Sequence, residues 1–122
     1  MKFIFYLSVF LLAVFSCTKS TPTFKEVDLK MWIEDKNGCS GKRSSMRKSV
    51  DDQKEKLLGL SEVQTVELLG SPDSNELYKR NQKFYYYFIG PSPACSNTKS
   101  ENSEKLVIRF NAIGLSNDVS IE

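Results

Sequence analysis

Apolar and polar positions along this chain change period several times, and each change marks a different kind of element. Phe3 to Phe15 is an almost unbroken apolar run, interrupted by Ser8. Thr18 to Thr23 is polar and carries Pro22, the pattern of a linker. Asp28 to Lys36 fits two periods at once. Leu29, Trp32 and Ile33 share a helical face with Asp28 as N-cap, while Val27, Leu29, Met31 and Ile33 alternate as in a strand. Ser44 to Leu58 has a helical period. Met46, Val50, Lys54 (through its stem), Leu57 and Leu58 lie on one face, with Arg47, Lys48, Asp51, Asp52, Glu55 and Lys56 opposite. Asp52 and Lys56 are spaced for an i,i+4 pair, and Gly59 is the stop.

Ser61 to Leu69 predicts a second helix. Ser61 and Gln64 form a capping box, Val63, Val66 and Leu68 or Leu69 form its apolar stripe, and Gly70 with Pro72 ends it. Beyond it the period drops to two. Glu76 to Arg80 and Lys83 to Ile89 predict a hairpin turning at Asn81-Gln82. Glu104 to Phe110 places Leu106, Ile108 and Phe110 on one face; after a turn at Asn111 to Gly114, Leu115, Asn117, Val119 and Ile121 continue it. Ser96 to Ser103 is polar and predicts an exposed loop. Helices followed by hairpin-linked strands give an α+β domain, a two-helix helix-turn-helix packed on a three- to four-stranded antiparallel sheet.

The first apolar run has the length of a signal-peptide h-region and is short for a bilayer of roughly 30 Å. Lys2 supplies its positive flank, and Val14-Phe15-Ser16-Cys17 resembles the lipobox of a bacterial lipoprotein. The resemblance implies that Cys17 becomes the first mature residue and carries acyl chains on its thiol and amine. The chain then divides into a signal peptide at 1–16, a lipidated cysteine and flexible tether at 17–26, and a domain at 27–122. Ordered structure is expected to begin near Phe24 or Val27.

Composition narrows the chemistry. Seventeen basic residues stand against 15 acidic ones, close enough to balance that nothing points to nucleic acid. There is no histidine, which excludes Ser-His-Asp and Cys-His catalysis and removes the commonest ligand of catalytic zinc. No cofactor is implied. Apart from Cys17, the cysteines are Cys39 and Cys95. In an exported protein such a pair reads as a disulfide, and a loop of this size is worth about 4 kcal/mol in the chain-entropy model.

From Leu57 onward the chain resembles the SmpA/OmlA, or BamE-like, lipoprotein domain, whose fold is shared by beta-lactamase inhibitor protein domains. Gly59-Leu60-Ser61, Val63, Val66 and Leu68-Leu69-Gly70-Ser71-Pro72-Asp73 carry the resemblance, with the strand at Tyr85 to Tyr87, Val107 to Phe110, and Gly114. It covers roughly Ser44 to Ile121. It implies a protein without catalysis, anchored in the outer membrane on its periplasmic face, which binds other envelope proteins as a scaffold or accessory subunit. The alternative is an inhibitor or modulator of a periplasmic enzyme. The expected partners are the lipid bilayer, through acylated Cys17, and one or more envelope proteins.

Individual residues offer a few candidate sites. Asp35-Lys36-Asn37-Gly38 starts like a calcium loop, but the twelfth position is Met46 where a glutamate is required. Lys42, Arg43, Arg47 and Lys48 form a basic cluster, either a solvated face or a contact for anionic headgroups or an acidic partner. Phe84 to Ile89 is apolar on both faces. One face packs under helices, leaving either Tyr85 and Tyr87 or Phe84, Tyr86 and Phe88 outside; tyrosines on an open sheet suit an interface. The candidate protein-binding residues are Tyr85, Tyr87, Arg43 and Arg47. Trp32 reads as a core anchor.

Overall fold

The computed structural model describes residues 19–96 and 103–122. The signal peptide and Cys17 lie outside the described residues. Among the described residues four short α-helices precede four strands: α1 (Leu29–Glu34), α2 (Lys42–Ser45), α3 (Arg47–Gln53), α4 (Glu62–Leu69), β1 (Ser74–Tyr78), β2 (Gln82–Phe88), β3 (Lys105–Phe110) and β4 (Ser116–Ile121). The strands form one antiparallel sheet in sequence order, β1-β2-β3-β4. The expected α+β architecture, helices on an antiparallel sheet, is present. No helix among the described residues is long and apolar enough to cross a membrane.

The ambiguous segment at 28–36 is helical. The Asp28 carboxylate accepts the Met31 N–H at 3.2 Å, an N-cap that satisfies one of the free donors of the first turn. Trp32 is fully buried from this helix. The single helix expected over Ser44 to Leu58 is divided instead. Met46 (φ −99°, ψ 1°) separates α2 from α3, and a 3-10 turn at Lys54–Leu57 follows. At this corner the Met46 side chain drops into the core with Val50 and Leu57, while Leu58 is exposed. Asp52 pairs with Lys48 at 3.1 Å rather than with Lys56.

Helix α4 begins with the expected capping box: Ser61 Oγ accepts the Gln64 N–H at 3.1 Å, and Gln64 Oε1 accepts the Ser61 N–H at 3.0 Å. Its buried stripe is Thr65, Leu68 and Leu69, and Val63 is exposed. Thr65 is accommodated because its hydroxyl donates to the Ser61 carbonyl at 2.8 Å, so no polar atom is stranded.

The core lies between the helices and one face of the sheet. Trp32, Met46, Val50, Leu57, Leu60, Leu68 and Leu69 meet Tyr87, Ile89, Leu106, Ile108, Phe110 and Val119. One irregularity changes the expected inward row of β4. Asn111 Oδ1 accepts the N–H groups of Ile113 and Leu115, both at 3.1 Å, and the register shifts between Arg109 and Phe110. Phe110 therefore faces Ser116, while Leu115 and Asn117 are exposed. A bulge of this kind moves side chains to the other face. The buried Ser116 hydroxyl donates to the Leu57 carbonyl and accepts the Leu60 N–H at 3.2 Å, tying β4 to the turn before α4.

Residues 19–25, expected as a flexible tether, lie strapped along the helices. Lys25 exchanges two 2.7 Å hydrogen bonds with the Gln53 side chain. Lys56 Nζ donates to the Thr23 carbonyl at 3.0 Å and stands 5.7 Å from the Phe24 ring. Lys19 Nζ donates to the carbonyls of Lys56 and Leu58, and its own carbonyl accepts from Gln64.

Candidate functional site

The four candidate interface residues do not form one surface. Arg43 is buried, with its guanidinium 5.0 Å from the Trp32 ring centre. Its Nε donates to the Trp32 carbonyl at 2.8 Å, and its Nη1 to Asp73 at 2.6 Å and the Phe88 carbonyl at 3.1 Å. Asp73 also accepts the N–H groups of Phe88 at 2.8 Å and Asn37 at 3.1 Å. Buried Asp35 completes the network, accepting the Ser40 and Arg43 N–H groups at 2.7 and 3.0 Å. Arg43 thus belongs to a structural ion pair that joins the α1–α2 corner to the sheet, and it is corrected from surface to interior. Trp32 Nε1 has no partner among the described residues. The Arg43 guanidinium over the ring is a separate cation–π attraction and supplies no acceptor for that N–H.

The disulfide lies beside this network. Cys39 and Cys95 are bonded, with Cα atoms 5.6 Å apart. Gly38 makes the approach possible. Its φ is +66°, a backbone region that favours glycine, and a Cβ there would lie 2.5 Å from the Gly90 carbonyl oxygen, a space that admits no side chain.

Tyr87 is corrected in the same way. It is fully buried, its hydroxyl donates to the Gly70 carbonyl at 2.8 Å, and burial pushes its phenol above the ordinary range. Tyr85 is half-buried on the same face, edge-on to Phe110 at 4.7 Å, and its hydroxyl donates to Glu62 at 3.0 Å. Burial, then the Glu62 carboxylate, raises its phenol as well. Arg47 is at the surface, engaged bidentately by Glu104 at 2.6 and 3.0 Å. That pair holds the Glu104 carboxyl below its ordinary value. Exposed to water, it adds little to stability.

The open face of the sheet belongs to the other parity. Phe84, Tyr86 and Phe88 project away from the helices and are absent from the core cluster. Each is half-buried by its neighbours in the sheet. Phe84 and Tyr86 stand parallel, 6.3 Å between ring centres, and Tyr78 meets Phe84 edge-on at 5.9 Å. Two cations flank the row: Lys105 Nζ is 4.6 Å from the Tyr86 ring, and the Arg109 guanidinium 5.7 Å from that of Phe84. The Arg109 guanidinium also donates to Gln82 at 2.8 Å. On the other side, the Tyr86 hydroxyl donates to Glu76 at 3.0 Å. Burial and this carboxylate together push the Tyr86 phenol up to about 12.

Strand pairing places these groups together. Phe84 lies across from Glu76 and Arg109, Tyr86 from Ser74 and Val107, and Phe88 from Lys105. Directly opposed residues share a face, so the aromatic row runs between Glu76 on β1 and Lys105 and Arg109 on β3. It offers large, stiff apolar area with charges held at its borders. Among the described residues no group of three or more His, Cys, Asp or Glu is placed to hold a metal ion. No protein-family model, no curated protein and no solved structure matches this chain.

Proposed function

We propose that this is a lipid-anchored, non-catalytic protein of the bacterial cell envelope, BamE-like in kind, which binds another envelope protein as a scaffold or accessory subunit. The observation that carries the reading is the aromatic row Phe84, Tyr86 and Phe88 on the sheet face that none of the described helices covers. Aromatic side chains lose little entropy on docking, and their cost of exposure is recovered when a partner excludes water. Lys105 and Arg109 give that partner a preferred charge, a carboxylate beside an apolar centre. The lipobox at Val14 to Cys17 supports the location.

The test is affinity capture from detergent-solubilised envelope, with acylation of Cys17 confirmed by mass spectrometry. Barrel-assembly subunits retained by the parent chain and lost with Tyr86→Ala support the scaffold reading. A soluble periplasmic hydrolase in their place supports the inhibitor alternative. Capture unaffected by Phe84→Ala and Tyr86→Ala together sinks the assignment of the row. An interface anchor of this type is worth about 2 kcal/mol or more, a weakening of well over tenfold.

A further inference from the structure

Exposed apolar side chains are concentrated at one end of the molecule. Lys83 pairs with Phe110, which sets the turn between β1 and β2 beside the turn between β3 and β4. Leu77 and Tyr78 are the last residues of β1 before the first turn and are 75% and 56% exposed. Ile113, in the second turn, is 79% exposed. Ser61 bridges to Leu115, so the start of α4 joins this end and contributes Val63, 66% exposed. Leu58 precedes it. Of the exposed large hydrophobic residues among the described ones, only Ile33 lies elsewhere.

Two further observations say what covers this end. The first is where the chain enters. Lys19 is held here, its Nζ on the carbonyls of Lys56 and Leu58 and its carbonyl on Gln64. Covalent geometry allows no more than about 7 Å between Lys19 and a residue two positions earlier. The second is charge. Lys79 and Arg80 occupy the first turn and are exposed, and Lys19 is exposed beside Leu58. Two carboxylates border this end: Glu62 is engaged by Lys83 at 3.0 Å and by the Tyr85 hydroxyl, and Glu76 accepts the Tyr86 hydroxyl. Apolar side chains among exposed cations match the interface of an anionic bilayer, where apolar groups enter the acyl boundary and lysine and arginine meet headgroups.

We infer that this end, with Ile113, Leu77, Val63 and the Lys79-Arg80 turn, is a membrane-docking surface that lays the domain directly on the bilayer to which Cys17 is attached. The inference rests on the lipid anchor proposed above. A body so seated stands with its β1–β2 and β3–β4 turns in the headgroups, and the Cys39–Cys95 disulfide and the Arg47–Glu104 pair at the far end point into the aqueous space.

The experiment uses the acylated full chain in vesicles of phosphatidylethanolamine and phosphatidylglycerol, with and without bromine on the acyl chains. Tryptophan is introduced at Ile113→Trp and, as the far-end control, at the exposed position Ala94→Trp; buried Trp32 gives a constant background read from the parent. Docking predicts a blue shift and loss of emission on brominated lipid for Ile113→Trp, and neither for Ala94→Trp. No quenching of Ile113→Trp in vesicle-bound, acylated protein overturns the docking surface and leaves the anchor standing. Shielding of Ile113→Trp that appears only when envelope proteins are added overturns it too, in favour of a protein partner. A chain unmodified at Cys17 that fails to float with vesicles removes the anchor, and the docking surface with it.

Discussion

Arg43 and Asp73 meet at 2.6 Å with side chains 1% and 0% exposed. Their contact, between a helix-forming segment and the residue before β1, is the one ion pair among the described residues that water does not reach. Removing one member leaves the other charged and buried, which costs about 3–5 kcal/mol. Asp73→Ala is expected to lose that much in urea unfolding, and it also strips the N–H groups of Asn37 and Phe88 of their acceptor. Arg43→Met with Asp73→Leu is expected to recover a large part of the loss, since an apolar pair is often an adequate replacement. A double variant no more stable than Asp73→Ala would show that the hydrogen bonds, rather than the charges, hold this corner.

The disulfide acts on the same corner from outside. Replacing Cys39 and Cys95 by serine together is expected to lower stability by about 2–5 kcal/mol. The same drop should follow reduction of the parent chain, measured as a lower urea midpoint, with a steeper slope because the unfolded chain without its cross-link exposes more surface.

Gly38 and Gly41 make a paired test of backbone against space. Both have positive φ, +66° and +76°, but a Cβ at Gly41 meets nothing within 4 Å while one at Gly38 collides with Gly90 and Phe88 carbonyl oxygens. Gly41→Ala is expected to cost about 1–2 kcal/mol, the left-handed penalty alone. Gly38→Ala should cost clearly more, because β2 must shift to admit the methyl group. Equal effects in thermal unfolding would refute the close packing of this turn on the sheet.

Tyr86 supplies a pH dependence. Folded, its phenol keeps its proton to about 12, against an ordinary 10.0. The unfolded chain gives up that proton first, so the folded state binds more protons between those values. The contribution is fully present below pH 10 and is lost as pH rises through about 12. Tyrosinate absorbance should show late-titrating groups, since Tyr85 and Tyr87 are raised as well; one of them disappears in Tyr86→Phe and moves to lower pH in Glu76→Gln, which weakens the acceptor but leaves the burial.

The elements whose cause is local were legible in the sequence. Ser61 and Gln64 announced α4 because a capping box is satisfied within four residues, and the hairpin order followed from alternation and turns. Trp32 was legible as a core residue because of its size. What was not legible depended on distant partners. Arg43 looks like one of four solvated cations until Asp73, thirty residues on, is brought beneath it. The split at Met46 has no glycine or proline to mark it. β2 is apolar at every position from Phe84 to Ile89, so its pattern could not say which tyrosines face the helices. Parity is set by the pairing of Tyr87 with Leu106 and Tyr85 with Ile108, and a one-residue error exchanges the two faces. One signal was available: Phe110, Ile108 and Leu106 are the purely apolar row of β3, and antiparallel pairing from the Lys83 end opposes them to Tyr85 and Tyr87.

Lys56 has a consequence for reach. Were its hold on Thr23 and Phe24 released together with the Lys19 and Lys25 contacts, residues 19–27 could extend to about 30 Å, a loose leash between the body and the anchor proposed at Cys17. With the lysine closed over Phe24, that leash has no slack. With the anchor proposed at Cys17, these contacts together would set the altitude at which the aromatic row is presented, and an envelope protein binding that row would have to come within that distance of the lipid.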